Sequence, residues 1–87
     1  SVVSAYRVVL TATAAKQLVR LDRPVMRRLQ GAIELLRTTP YPPKATRLVG
    51  RDGYGVRVGD YRVIYLVRDD TLVVVVVRSG HRSQVYR

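Results

Sequence analysis

Arg57 and Arg62 flank the segment Val58-Gly59-Asp60-Tyr61, a spacing that sets the two arginines opposite each other. Gly59-Asp60 is a two-residue turn signal between two strand-like runs, Val56 to Val58 and Tyr61 to Arg68. A two-residue hairpin pairs Val58 with Tyr61 and, one rung further, Arg57 with Arg62. Directly opposed residues share a sheet face, and like charges there destabilise the pair. An anion lying over both removes that penalty, so the arrangement points to a polyanion, with phosphate the first candidate. The tail that follows the last strand carries His81, Arg82 and Tyr86 toward the same end of the sheet.

Arginines, a histidine and a tyrosine suit cleavage of RNA without a metal. The ribose 2′-hydroxyl attacks its own phosphate, so the protein supplies no nucleophile. It must orient that attack, neutralise the charge growing on the phosphoryl oxygens and move protons. Arg57, Arg62 and Arg82 serve the second task but not the third, because a guanidinium stays protonated. His81 and Tyr86 are the proton carriers, histidine being better matched to neutral pH. Each residue also has a plainer reading. A strand arginine can be a solvated edge residue, and a lone tail histidine is commonly just exposed. Tyr86 can anchor the carboxyl terminus or stack on a base. Tyr61 and Tyr65 fall on the opposite face and read as core. Arg20, Arg23, Arg27, Arg28 and Arg37 read as a solvated helix face that attracts phosphate backbones generally.

The 87 residues fit one domain spanning 1–87, near the lower size limit for a single unstapled core. There is no cysteine, hence no disulfide framework or thiolate nucleophile, and one histidine cannot build a polyhistidine site. The six acidic residues do not cluster apart from Asp69-Asp70, so neither a metal nor another cofactor is expected. The net charge is +10, with fourteen Arg against two Lys, which favours planar, bidentate contact with phosphate. The longest apolar run, Leu72 to Val77, has strand length, far short of the roughly 20 residues that span a bilayer. With no secretory leader visible either, the chain is expected in the cytoplasm, with no membrane partner.

The elements that must position these residues can be read in order. Tyr6 to Leu10 is strand-like, and Thr11-Ala12-Thr13 then offers hydroxyl caps for a helix. Ala14, Leu18 and Leu21 fall on one helical stripe. Asp22-Arg23-Pro24 interrupts it and starts a second helix, whose stripe is Val25, Leu29, Ala32 or Ile33, and Leu36. Three prolines, Pro40, Pro42 and Pro43, end that helix, and Lys44 to Gly53 reads as a loop with an apolar anchor at Leu48-Val49. Strands follow at about Tyr54 to Val58, Tyr61 to Arg68 and Thr71 to Arg78, the last two joined by a tight turn at Asp69-Asp70. The order β-α-α-β-β-β implies an α+β fold: an antiparallel sheet with a two-helix hairpin packed on one face. Val56, Val58, Tyr61, Val63, Tyr65, Val67, Leu72, Val74 and Val76 are assigned to the helices. Arg57, Arg62, Ile64, Leu66, Val73, Val75 and Val77 fall on the other face, whose aliphatic surface calls for a partner. A bulge would shift this register and exchange faces locally.

Three stretches, Arg47-Leu48-Val49-Gly50, Tyr54 through Tyr65 and Gly80-His81-Arg82-Ser83-Gln84-Val85-Tyr86, resemble the RelE/ParE superfamily of bacterial type II toxins, RelE-like branch. The Thr13-Ala14-Ala15 start, the Leu18-Leu21 spacing and the Thr39-Pro40 helix end are similar to it as well. Resemblance to the RelE branch implies a ribosome-dependent endoribonuclease, an mRNA interferase that cuts messenger RNA and arrests translation. Its partners would be the ribosome and mRNA and a cognate antitoxin laid over the sheet and helices, with operator DNA reached only through that antitoxin. By position, Arg62 matches the family's strand arginine at the scissile phosphate and Arg57 a basic residue on the preceding strand. Tyr86 matches the tail tyrosine, and the family's second tail arginine falls on His81 or Arg82. Gly55 stands where many active members carry a further basic residue. The ParE branch shares the fold, lacks the nuclease cluster and inhibits DNA gyrase, which is the alternative reading. A non-toxic nucleic-acid-binding module is a third.

Overall fold

The computed structural model describes residues 5–81. The chain forms β1 (Arg7–Leu10), α1 (Ala12–Val19), α2 (Arg23–Leu35), β2 (Thr46–Arg47), β3 (Tyr54–Val58), β4 (Tyr61–Arg68) and β5 (Val73–His81). The five strands make one sheet in the order β1-β5-β4-β3-β2, with both helices on one face. Among the described residues no helix is long and apolar enough to cross a membrane.

The helices start where their hydroxyls and prolines say they should. Thr11 is the N-cap of α1, its Oγ1 accepting from the Ala14 amide at 3.1 Å. Asp22 holds the same position before α2 with Pro24 in the first turn, although its carboxylate makes no capping bond. The two stripes close on the sheet: Ala14, Leu18, Leu29, Ile33 and Leu36 pack against Val56, Val63, Tyr65, Val74 and Val76, all buried. Of the pair Ala32 and Ile33, Ile33 is the core residue. The Tyr65 hydroxyl donates to the Pro40 carbonyl at 2.8 Å, pinning the end of the helical hairpin to the middle of β4. Burial, then the neighbouring Tyr54, pushes its pKa up to about 12, so it remains a donor throughout the neutral range.

The α+β class and the helical face are as the sequence indicates, but the sheet is mixed rather than antiparallel. β1 pairs parallel with β5, Arg7 to Val73 through Leu10 to Val76. The reason is parity. The Lys44–Gly53 loop contains a short strand, β2, antiparallel to β3 (Thr46 to Gly55, Arg47 to Tyr54). That added strand makes one more reversal between the first strand and the last, and β1 and β5 then run the same way. Two residues carry too little period to be recognised as a strand.

The β3–β4 hairpin has the expected register, with Gly59 at φ 62° in the first turn position, where a side chain would be strained. The second hairpin departs from expectation. Arg68 pairs with Val73, so four residues, Asp69 to Leu72, make the turn, and Leu72 takes a left-handed φ of 55°. The register then shifts between Ile64 and Tyr65: Ile64 faces Arg78 while Tyr65 faces Val76. Val77 is the extra residue of a bulge, and beyond it the alternation of β5 is inverted. Ser79 therefore turns inward, fully buried, its hydroxyl donating to the Ala14 carbonyl at 2.8 Å and its amide to Gln17 Oε1 at 3.0 Å. Those bonds satisfy a polar residue that an apolar face would otherwise penalise.

Candidate functional site

Arg57 and Arg62 are Cα partners across β3 and β4, as the Gly-Asp turn requires. Register places Arg78, opposite Ile64, on the same open face, and Gly80 opposite Arg62. Ile64 is 2% exposed there, yet it stands apart from the helix-side core. Leu48 from the β2–β3 loop reaches down beside it, their δ-carbons 3.8 and 3.3 Å from where a Cβ on Gly55 would lie. The loop thus covers part of the aliphatic surface and leaves the arginines on the remainder.

Opposed at the backbone, the two side chains part company beyond it. Arg57 donates from Nε to the Gly59 carbonyl at 3.3 Å and borders a groove of about 540 Å³ between α2 and β3, with Arg28, Leu35 and Lys44. Arg62 extends the other way, its Nη1 lying 3.6 Å from the position of a Cβ on Gly55. It borders a separate cleft of about 340 Å³ with Thr46, Arg47, Leu48, Val49 and Arg51. Separation eases the repulsion between two guanidinium groups that share a rung. Gly55 makes the second path possible, since a larger residue would occupy the space under Arg62.

Asp60 shares a cleft with Arg57 and Lys44, but Arg57 makes no ion pair with it or with any other described carboxylate. Arg47 and Arg51 likewise have no described carboxylate within ion-pair distance; the bridge from Arg37 to Glu34, 3.3 Å long, lies on α2 and its C-terminal turn. At the far end of the sheet the pattern is reversed. The Asp69 carboxylate accepts from the Tyr41 and Tyr6 hydroxyls, each at 2.6 Å. Those two bonds hold its carboxyl below the usual value and push both tyrosines above theirs. Tyr41 in turn meets Tyr54 edge-on, centroids 5.2 Å apart, and Tyr54 stacks on Tyr65.

His81 ends β5 as the partner of Tyr61, with the two rings edge to face at 5.6 Å. Tyr61 packs against the helix-side core, so register puts His81 on the other side of the sheet from Arg62. Arg82 and Tyr86 lie outside the described residues. Sequence reasoning placed Arg57 and Arg62 together and omitted Arg78, Arg47 and Arg51. Arg78 depends on the bulge at Val77, which no residue pattern announced. Arg47 and Arg51 sit in a stretch read as plain loop, although two arginines bracketing an apolar pair were a usable signal. No group of His, Cys, Asp and Glu suited to holding a metal ion occurs among the described residues.

The profile of the ParE toxin of the type II toxin–antitoxin system parDE matches residues 8–86. The isolated Escherichia coli RelE toxin superposes with a TM-score of 0.78 at 29% identity, covering 94% of this chain and 92% of that one. A RelBE toxin–antitoxin complex of Mycobacterium tuberculosis gives 0.76 at 28% identity, covering 90% of this chain and 99% of that one. The RelE–RelB complex of Pyrococcus horikoshii gives 0.76 at 29%, with 92% and 98% covered. No curated protein sequence matches significantly. With a family profile running over nearly its whole length and RelE folds superposing on its sheet and helices, the chain belongs to the ParE toxin family within the RelE/ParE superfamily.

Proposed function

We propose that this chain is the toxin of a type II toxin–antitoxin pair and acts as a ribosome-dependent mRNA endoribonuclease. The observation that carries the reading is the rung of Arg57 and Arg62, paired on one sheet face. The scissile phosphodiester lies over this rung. The 2′-oxygen bonds to phosphorus as the bond to the 5′-oxygen breaks, giving a cyclic 2′,3′-phosphate and a 5′-hydroxyl. Negative charge builds on the non-bridging oxygens, where Arg62 and Arg57 stabilise it. One proton leaves the 2′-hydroxyl and another joins the departing oxygen. Arg82 and Tyr86, which follow β5 in the sequence, complete the site in this reading, Tyr86 as a proton carrier; His81 is the other candidate carrier, although its register sets it across the sheet from Arg62.

A cognate antitoxin neutralises the toxin by covering the open face. RelE relatives have been solved bound to their antitoxins, and a chain of net charge +10 suits an acidic partner. Operator DNA is contacted only through that partner.

A second reading is a gyrase inhibitor without nuclease activity. It is favoured by the ParE identity of the matching profile and by the register of His81, opposite in face to Arg62. One experiment separates the two. After induction of the chain alone, pulse labelling follows protein and DNA synthesis, and primer extension maps breaks in ribosome-bound message. The nuclease reading expects translation to stop first, with discrete message ends. Blocked replication with translation continuing and message intact would sink it in favour of the gyrase reading.

A further inference from the structure

Arg62 does not lean toward Arg57 but into a cleft whose other cationic walls are Arg47 and Arg51, from β2 and the loop after it. We propose that this cleft is a second phosphate subsite, which takes an RNA phosphodiester adjacent to the one held at the Arg57–Arg62 rung. The inference rests on the nuclease reading and adds to it a place for the flanking nucleotide.

Size and charge agree with that occupant. The cleft holds about 340 Å³, room for a phosphate and part of its sugar, and no acidic residue among the described ones borders it. Asp52 borders a different cleft, with Tyr41 and Tyr54, and Arg47 stands between the two. Arg51 and Arg47 are exposed and make no ion pair with a described carboxylate, so neither must give up a partner to bind an anion. Planar guanidinium groups from two walls can grip one phosphate in a fixed orientation, which lysines would not enforce. The Thr46 hydroxyl donates to the Gly55 carbonyl at 3.5 Å and forms part of the rim. Val49, 99% exposed, forms an apolar lip against which a ribose or base can rest.

Gly55 gives the subsite its connection to the rung. Without a side chain there, Arg62 lies across β3 and serves as the wall shared by both phosphate positions. A strand of RNA then runs from the β3–β4 turn, past Arg62, toward the β2–β3 loop. Its successive phosphates face Arg57 first and Arg51 second.

The test measures binding of the full chain to a fluorescent single-stranded RNA with every 2′-hydroxyl methylated, so that cleavage cannot occur. Affinity is taken at several salt concentrations for the wild type, Arg51→Gln, the double variant Arg47→Gln/Arg51→Gln, and Arg57→Gln. The double variant is expected to bind about tenfold more weakly or worse. Its salt slope should be smaller by about 1.4, roughly 0.7 for each lost phosphate contact on a single strand. Arg51→Gln alone should lose about half of that slope, and thermal melts should be unchanged because both residues are exposed. A double variant with wild-type affinity and slope, while Arg57→Gln loses both, overturns the subsite and leaves the rung standing. A wild type that binds no RNA overturns the subsite and the nuclease reading together. Equal losses with duplex DNA would assign the cleft to a different polymer and overturn the proposal for RNA.

Discussion

The two faces of this sheet solve opposite problems with the same strands. Toward the helices, side chains from α1 and α2 close over Val63, Tyr65, Val74 and Val76, and the one buried polar side chain, Ser79, has its hydrogen bonds met. Toward the open side, Arg57, Arg62 and Arg78 stand on a strip that a short loop covers only in part. The first face gains by excluding water from apolar area. The second holds like charges on one rung, an arrangement that folding alone does not favour. A substitution on the first face should therefore be read in stability, and one on the second in activity.

The largest effect should come from the helix side. Leu29 is fully buried where α2 meets the sheet, and Leu29→Ala should cost about 2–5 kcal/mol in urea unfolding. That is a large fraction of the stability of so small a domain. Arg62→Ala is the counterpart on the open face. It should lower RNA cleavage on the order of 10²-fold, the usual cost of one lost transition-state donor. Its unfolding free energy should change by less than that of Leu29→Ala. An Arg62→Ala protein that unfolds easily but cleaves normally would erase the distinction between the faces.

The sequence makes the first face far more readable than the second. Apolar stripes at helical and strand periods mark Ala14, Leu18, Leu29, Ile33, Val63, Tyr65, Val74 and Val76 because burial depends on repeated, local pattern. The Gly59-Asp60 turn marks the Arg57–Arg62 rung for the same reason, since two residues settle a hairpin's register. What escapes is set by distant partners. The bulge at Val77, which turns Arg78 outward and Ser79 inward, depends on Ala14 and Gln17 offering bonds to Ser79. The parallel run of β1 depends on whether the chain reverses once more at Thr46–Arg47. The path Arg62 takes from its strand depends on Gly55 having no side chain, the Arg62 Nη1 lying 3.6 Å from where a Cβ would stand.

That position can be filled to sharpen the comparison. Gly55→Val keeps every charge but adds methyl groups at a spot where the Cβ alone would already meet Ile64 Cδ1 at 3.3 Å and Arg62 Nη1 at 3.6 Å. Cleavage should fall by about tenfold, within the range a misplaced catalytic group costs, while RNA binding through Arg57 persists. Initial cleavage rates on ribosome-bound message, compared with those of Arg62→Ala, measure how much depends on direction rather than charge. On the helix side, Ser79→Ala should cost about 1 kcal/mol, the net worth of its hydroxyl bond to Ala14. Urea unfolding checks that value, and cleavage should follow the wild type.

The smallest effect concerns a carboxylate that accepts two tyrosine hydroxyls. Asp69 accepts from Tyr6 before β1 and from Tyr41 in the loop after α2, tying both to the β4–β5 turn. Its pKa is lowered from the ordinary 3.8, first by the bond from Tyr41 and then by that from Tyr6. A depressed carboxyl pKa contributes stability above the unfolded value, and the contribution is lost as pH falls through the folded one. The two phenols are raised above 10.0, so their share is present below that value and lost as pH climbs through the folded pKa values. All three groups are largely exposed, and solvent keeps the gain small. The difference in melting temperature between wild type and Asp69→Ala should accordingly be flat from about pH 5 to 9. It should shrink below about pH 4 and again above about pH 10. A difference that persists unchanged at pH 2 would mean that the turn itself, rather than its charge, holds the two tyrosines. Arg57 should behave in the opposite way, since Arg57→Gln removes no ion pair with a described carboxylate, and its melting temperature should follow the wild type across the same range.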